Sequence, residues 1–191
     1  MPDIGKWVLE TAVQTLALWN ASDRTRDLVL SINVSPDQFL SEDFAKNIKS
    51  LLRDSGVVSR SLKLELTETM FVSEVDSLIT KIQELKDSGI AIALDDFGTG
   101  YSSLSYLRHL PLQRLKIDRS FVQAINTDRG ALMARSISQM GHDLGLEILA
   151  EGIETEEQFR FMLDCGCKVF QGYYFGRPVT LAAFQEYLNS V

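Results

Sequence analysis

Six short apolar runs that are typical of β-strands alternate with amphipathic helical stretches along the whole chain. The predicted strands cover 28–34, 62–67, 90–94, 114–118, 146–150 and 168–171. Strands that alternate with helices pair in parallel and are joined by right-handed crossovers. The pattern therefore predicts an α/β fold, which is either a doubly wound sheet or a TIM-type barrel.

Polar or charged side chains stand at the end of every predicted strand. They are Asn33, Glu65 with Glu68, Asp95 with Asp96, Lys116, Glu151 with Glu154, and Gln171. Any one of them could simply mark a strand that reaches solvent. A doubly wound sheet gathers its site at one switch point, whereas a barrel collects side chains from strands all around its ring. We therefore predict a single domain over residues 1–191, an incomplete TIM-type (β/α) barrel with six parallel strands of about eight.

The third strand leads into a pair of adjacent carboxylates, Asp95 and Asp96, and then into a loop with Gly98 and Gly100. A helix is expected to begin near Leu104 and to run to about residue 109. Adjacent carboxylates repel each other, and burying them is costly unless a cation or a proton compensates. Two interpretations stay open for this stretch alone: a cation site, or a solvated acidic turn followed by flexible glycines.

Hard oxygen donors dominate the residues that the predicted fold would gather at one mouth. Such donors suit Mg²⁺ or Mn²⁺, and more carboxylates than one ion can neutralise indicate two ions. Two ions serve in-line displacement at phosphorus. In that chemistry Lys116 would hold a water or a phosphate oxygen, Glu151 would accept a proton from the water, and the glycine loop would move over the site. The predicted metal ligands are Asn33, Glu65, Asp95 and Asp96.

Composition excludes several classes of protein. A formal net charge of −7 disfavours binding to a nucleic-acid polymer. The sequence has no apolar run near the roughly 20 residues that a membrane span needs, and its first residues do not resemble a signal peptide. Cys165 and Cys167 are the only cysteines, and two free thiols in a reducing cytoplasm are expected.

Seven motifs in a fixed order give the chain a specific resemblance. They are IGKWVL at 4–9, SINVS at 31–35, ELTE at 65–68, DDFGTGYSSL at 95–104, LKID at 115–118, AEGIET at 150–155 and QGYYFGRP at 171–178. Together they resemble the EAL-domain family of cyclic-di-GMP phosphodiesterases. The resemblance implies a TIM-like barrel that uses Mg²⁺ or Mn²⁺ to hydrolyse cyclic-di-GMP to linear pGpG.

The resemblance also implies roles for individual residues. Lys116 would orient water and phosphate, and Glu151 would be the general base. Glu68 would anchor the loop after Asp96, Glu154 would support the site, and Gln171 would lie beside the substrate or the attacking water. By the same family pattern the two ions would be held by Asn33, Glu65, Asp95 and Asp96.

One departure from the family pattern changes the expectation. The Glu-Ala-Leu stretch that gives the family its name, and whose glutamate binds metal, does not occur in this sequence. We therefore expect an N-terminally truncated domain with impaired hydrolysis, taken from a longer protein that could be anchored to a membrane. An open barrel would expose the strand edges at 28–34 and 168–171 with apolar inner faces. Self-association, strand exchange or pairing with the missing segment or other domains would cover them.

Other functions remain open at this point. A non-hydrolysing cyclic-di-GMP receptor would keep the pocket without turnover. A dimerisation or regulatory module would need neither the pocket nor turnover. A Schiff-base aldolase built on Lys116 would not explain so many metal donors. All the retained site residues match the active pattern, which favours an enzyme.

Overall fold

The computed structural model describes residues 2–72, 75–98 and 107–190. Its helices are α1 Pro2–Asn20, α2 Pro36–Leu40, α3 Phe44–Ser55, α4 Val75–Asp87, α5 Arg119–Gln123, α6 Asp128–Asp143, α7 Glu156–Asp164 and α8 Leu181–Ser190. Its strands are β1 Leu30–Val34, β2 Leu62–Thr67, β3 Ala91–Phe97, β4 Arg114–Ile117, β5 Glu147–Ala150 and β6 Val169–Phe170. The start of the helix predicted near Leu104 lies outside the described residues.

The six strands form one sheet whose order follows the order of the chain, and all neighbouring strands are parallel. A doubly wound sheet would reverse its strand order at a switch point, so that alternative is wrong. The sheet curls into a half-barrel with its helices outside, and the prediction of an incomplete TIM-type barrel is confirmed. The described helices include none that is both long and apolar enough to cross a membrane.

The two faces of the sheet differ in polarity. In β2 the leucines at 62, 64 and 66 are fully buried on the helix side, while Lys63 and Glu65 alternate with them on the inner face. In β1 Ile32 and Val34 are buried on the helix side, whereas Ser31 and Asn33 are exposed on the inner face. The prediction of an apolar inner face is therefore wrong for β1. Self-association through the edge strands stays a prediction.

The half-buried side chain of Lys81 holds α2, the short helix that follows β1. Lys81 Nζ on α4 donates hydrogen bonds to the carbonyl oxygens of Phe39, Leu40 and Ser41 at 2.9, 3.2 and 2.8 Å. These carbonyls lie at the C-terminal end of α2, where no intrahelical donor is available. At the other end Ser35 Oγ accepts from the backbone N–H of Gln38. Both ends of α2 are thus fixed immediately after the end of β1.

Replacing Lys81 by Met is expected to destabilise the chain by about 1–3 kcal/mol, because it leaves a set of helix-end carbonyls without their charged donor. Urea unfolding followed by circular dichroism measures the loss. Lys86→Met, at an exposed position of the same helix, is the matched control and should cost little. Equal losses in the two variants would contradict this role for Lys81.

Candidate active site

Lys116 lies at the centre of three carboxylates on the inner face of the sheet. Its Nζ is 2.6 Å from Glu65 Oε2, 2.8 Å from Asp95 Oδ1 and 2.8 Å from Glu151 Oε1. The side chain is only 4% exposed. Burial alone would lower the pKa of Lys116, but hydrogen bonds to the three carboxylates outweigh burial and hold that pKa well above its ordinary value. The lysine therefore remains a cation. We call these four residues the Lys116 cluster.

The register of the sheet explains why residues so far apart in sequence meet here. Glu65 pairs with Ala93 of β3, and Asp95 follows two residues later on the same face. Lys116 pairs with Leu149 of β5, and Glu151 follows that residue by the same step of two. Side chains two residues apart on a strand share a face. Four adjacent strands, β2 to β5, therefore deliver their polar ends to one point.

Asp96 adds a second carboxylate at the end of β3, in a backbone conformation with φ of 53°. Its backbone N–H donates to Asp95 Oδ1 at 3.0 Å. One oxygen each of Asp95, Asp96 and Glu151 lie within 4.8 Å of one another, close enough to share a metal ion. Partial desolvation first, and the charge of Asp95 second, raise the pKa of Asp96, although its side chain keeps much of its contact with solvent. Burial also raises the pKa of Glu151, although Lys116 opposes that shift.

The remaining predicted residues lie around this centre. Asn33 is the register partner of Glu65 on the adjacent strand and is exposed. Glu68 is buried, and its Oε2 accepts a hydrogen bond from the backbone N–H of Gly98 at 2.9 Å, which ties it to the end of β3. Gln171 follows β6 and donates its backbone N–H to Ala150 at the end of β5.

Glu154 follows Glu151 by three residues and lies just before α7. It is exposed, and its backbone N–H donates to Gln158 Oε1 at the start of α7. That side chain also completes a capping box with Thr155. The position of Glu154 is therefore set by the beginning of a helix and not by a strand.

Sequence reasoning missed a second charged layer on the inner face. Arg114 Nε donates to Glu147 Oε2 at 2.8 Å, and Lys63 is buried nearby. Burial and, after it, the charge of Arg114 lower the pKa of Lys63. The signal was present in the sequence, because Lys63 and Glu65 interrupt an otherwise apolar strand at a spacing of two. Sequence reasoning also assigned Glu151 only as a base, whereas the structure groups it with two predicted metal ligands.

Replacing Asp96 by Asn is expected to raise the melting temperature of the metal-free chain at pH 7 by about 1–2 °C. Asn tolerates a positive φ, and it removes the repulsion between two adjacent carboxylates. The gain is small because Asp96 is exposed and solvent screens its charge. The folded-state pKa of Asp96 is raised, so its contribution to stability is present at acidic pH and is lost as the pH rises through that pKa.

Calorimetry at pH 4 and pH 7 tests this, and the advantage of the variant should disappear at pH 4. Asp164→Asn, at an exposed helix end, is the control. Added Mg²⁺ should stabilise the parent chain more than the variant. A variant that melts below the parent at pH 7 without metal would show that repulsion at Asp96 is not what limits the stability of this site.

Comparisons with known proteins agree with this geometry. The family model described as the EAL domain matches residues 1–178. The cyclic di-GMP phosphodiesterase NbdA of Pseudomonas aeruginosa is 36% identical over 185 residues, which is 96% of this chain and 24% of NbdA. The chain spans about a quarter of the length of the curated relatives it matches.

Solved structures extend the likeness to three dimensions. The PaMucR phosphodiesterase in a c-di-GMP complex superposes with a TM-score of 0.90 at 36% identity, over 95% of this chain and 74% of that one. The EAL domain of DcpA from Mycobacterium smegmatis superposes with a TM-score of 0.91 at 36% identity, over 97% of this chain and 84% of that one.

Proposed function

This chain belongs to the EAL domain family, and we propose that it binds cyclic-di-GMP and hydrolyses one of its phosphodiesters to give linear pGpG. The observation that carries the proposal is the Lys116 cluster, in which three strands direct carboxylates onto one buried ammonium. NbdA is named as a cyclic di-GMP phosphodiesterase, and the PaMucR structure holds c-di-GMP. The cytoplasmic location expected from the two unpaired cysteines is part of the same proposal.

The charge of the site supports a requirement for metal. The carboxylates of Glu65, Asp95, Asp96 and Glu151 stand against the one ammonium of Lys116, which leaves a formal charge of −3 when all are ionised. An anionic phosphodiester would be repelled by such a site. Hard divalent cations that prefer oxygen ligands fit this donor set, and two of them would give the site a net charge of +1. We propose Mg²⁺ or Mn²⁺.

The grouping of oxygens indicates where the ions would be held. Asp95, Asp96 and Glu151 would share one ion, since their oxygens already lie within 4.8 Å of one another. Asn33, Glu65 and Asp95 would hold the other, because Asn33 and Glu65 are paired on adjacent strands. When bound, two divalent ions activate water and neutralise charge on the phosphate.

The residues of the chain then act on the proton and on the phosphate. Glu151 accepts the proton of the attacking water through the carboxylate oxygen that does not hold an ion. A bond forms between the water oxygen and phosphorus, and the opposite P–O bond breaks, so that the ribose oxygen leaves and takes a proton from solvent to become a hydroxyl. Lys116, held as a cation, would donate to a phosphate oxygen through an N–H that a carboxylate releases when it turns to an ion, and would stabilise the charge that develops there. Glu68 fixes Gly98 and so the start of the adjoining loop.

A non-hydrolysing receptor is the second candidate. It is favoured by one observation, the absence of a Glu-Ala-Leu stretch from the sequence. The metal ligand that the family resemblance assigns to that stretch is then missing from one ion position. We therefore propose that turnover by this chain is slow even where binding is retained.

Incubation with cyclic-di-GMP and Mn²⁺, followed by chromatography for pGpG, tests the proposed function. Calorimetric titration of the same chain measures binding. Formation of pGpG that stops on addition of a chelator would support the phosphodiesterase. Binding without product would favour the receptor, and a chain that neither binds nor hydrolyses cyclic-di-GMP would overturn both.

A further inference from the structure

Two cations, Lys63 on β2 and Arg114 on β4, lie on the inner face of the sheet one step nearer the amino ends of the strands than the Lys116 cluster. Each stands two residues before a member of that cluster, Glu65 or Lys116, and side chains two residues apart on a strand share a face. Two residues of a strand span roughly 7 Å. The two cations therefore form a layer of their own beside the carboxylates of the Lys116 cluster.

Arg114 uses only part of its hydrogen-bonding capacity. Its Nε and Nη2 both donate to Glu147 Oε2, at 2.8 and 2.5 Å. A guanidinium has five N–H donors, and the described part of the chain supplies no acceptor for the other three. With Lys63 and Arg114 set against the one carboxylate of Glu147, the layer carries a formal charge of +1.

Lys63 is a buried cation that lacks a partner among the described residues. It is only 8% exposed, and it makes no ion pair or hydrogen bond with any residue that the structure describes. It does lie within electrostatic reach of Arg114 and Glu147. Its Nζ is not one of the described atoms that are both sealed from solvent and unpartnered, so a small solute can reach it. A buried charge without a partner is costly, and an entering anion would relieve that cost.

The strand between the two cations carries only methyl groups on this face. Ala91 is the register partner of Lys63, and Ala93 is the register partner of Arg114. The Cα atoms of Lys63 and Arg114 are two strands and two residues apart, which separates them by roughly 12 Å. Both are long side chains, so their charged ends can meet one group placed over the two alanines.

We propose that Lys63 and Arg114 bind a phosphate group over Ala91 and Ala93, at a site separate from the Lys116 cluster. A guanidinium meets phosphate oxygens with paired N–H donors, and an ammonium adds a point charge. The phosphate belongs either to a free ion or to a phosphate monoester. The charge of −3 on the metal-free Lys116 cluster opposes an anion at this distance, so bound Mg²⁺ should strengthen phosphate binding. That last expectation alone rests on the metal binding proposed above.

Phosphorus NMR of inorganic phosphate titrated with the chain at constant ionic strength tests the site, first with a chelator and then with Mg²⁺. Lys63→Met is expected to weaken phosphate binding about 10- to 100-fold in both conditions, the range for loss of a hydrogen bond from a charged donor. Ala91→Val should also weaken it, because the larger side chain fills the gap and leaves both charges in place. The same titration with GMP distinguishes a monoester from a free ion, since a site that takes only the ion leaves GMP unbound.

Lys86→Met, at an exposed position of α4, is the matched control and should bind phosphate as the parent does. Thermal melting must show each variant folded, and if Lys63→Met does not fold, Ala91→Val decides the question. A parent chain that binds no phosphate in either condition would overturn the proposal. So would Lys63→Met and Ala91→Val that both bind phosphate as tightly as the parent, since the ion would then lie elsewhere. Loss of binding in these variants with the chelator present supports the site whether or not the chain hydrolyses cyclic-di-GMP.

Discussion

Replacing Glu151 by Gln is expected to reduce the rate of cyclic-di-GMP hydrolysis about 10²- to 10⁴-fold, the usual contribution of a positioned general base. The amide has nearly the same size, and its carbonyl oxygen can still accept a hydrogen bond from Lys116. The change therefore removes the proton acceptor and one of the three carboxylates that would share an ion, while it preserves packing. Chromatographic assay of pGpG with Mn²⁺ measures the effect.

The pH dependence sharpens this prediction. Glu151 is active only when ionised, so the rate falls as the pH drops through its pKa. Burial raises that pKa in the metal-free chain, whereas bound divalent ions would lower it, so the fall should begin at a lower pH with saturating Mn²⁺ than with limiting Mn²⁺. Glu157→Gln, at an exposed position of α7, is the control and should keep both the rate and the pH profile. A Glu151→Gln variant that retains the parent's rate would exclude this residue from the reaction.

Replacing Lys116 by Met is expected to destabilise the metal-free chain by about 3–5 kcal/mol at pH 8, the cost of leaving buried charges without their partner. Methionine fills much of the same volume, so the loss would report the charge and not a cavity. Near pH 5 the loss should be smaller, because protons can then neutralise part of the carboxylate charge. Urea unfolding at the two pH values measures both quantities.

Lys63 provides a matched control on the same face of the sheet. It is buried like Lys116, but burial and the charge of Arg114 lower its pKa. Lys63→Met should therefore be close to neutral or stabilising. If both replacements cost the same amount, the loss at Lys116 reflects packing, and its three ion pairs contribute little. A loss at Lys116 that does not change with pH would lead to the same conclusion.

The sequence by itself determined the local elements and the polar ends of the strands. The apolar runs of strands and the apolar stripes of helices depend only on residues that are near each other in sequence. They can therefore be recognised before the fold is known. The prediction that Glu65, Asp95, Lys116 and Glu151 share one mouth followed from parallel strands that all end on the same side. The structure places those four side chains in contact.

Only the tertiary structure decided how these groups are arranged. That Lys116 contacts three carboxylates at once depends on the register of β2, β3, β4 and β5, which no local pattern encodes. The positive φ of Asp96 lies in the stretch from Leu94 to Phe97 over which the pairing of β3 with β4 shifts register. The polar inner face of β1 became evident only from the structure, which shows on which side of the sheet the helices pack. The sequence states which charged side chain each strand carries. The distances between those charges are set by strand pairing across the sheet, and the strength of a charge interaction depends on that distance.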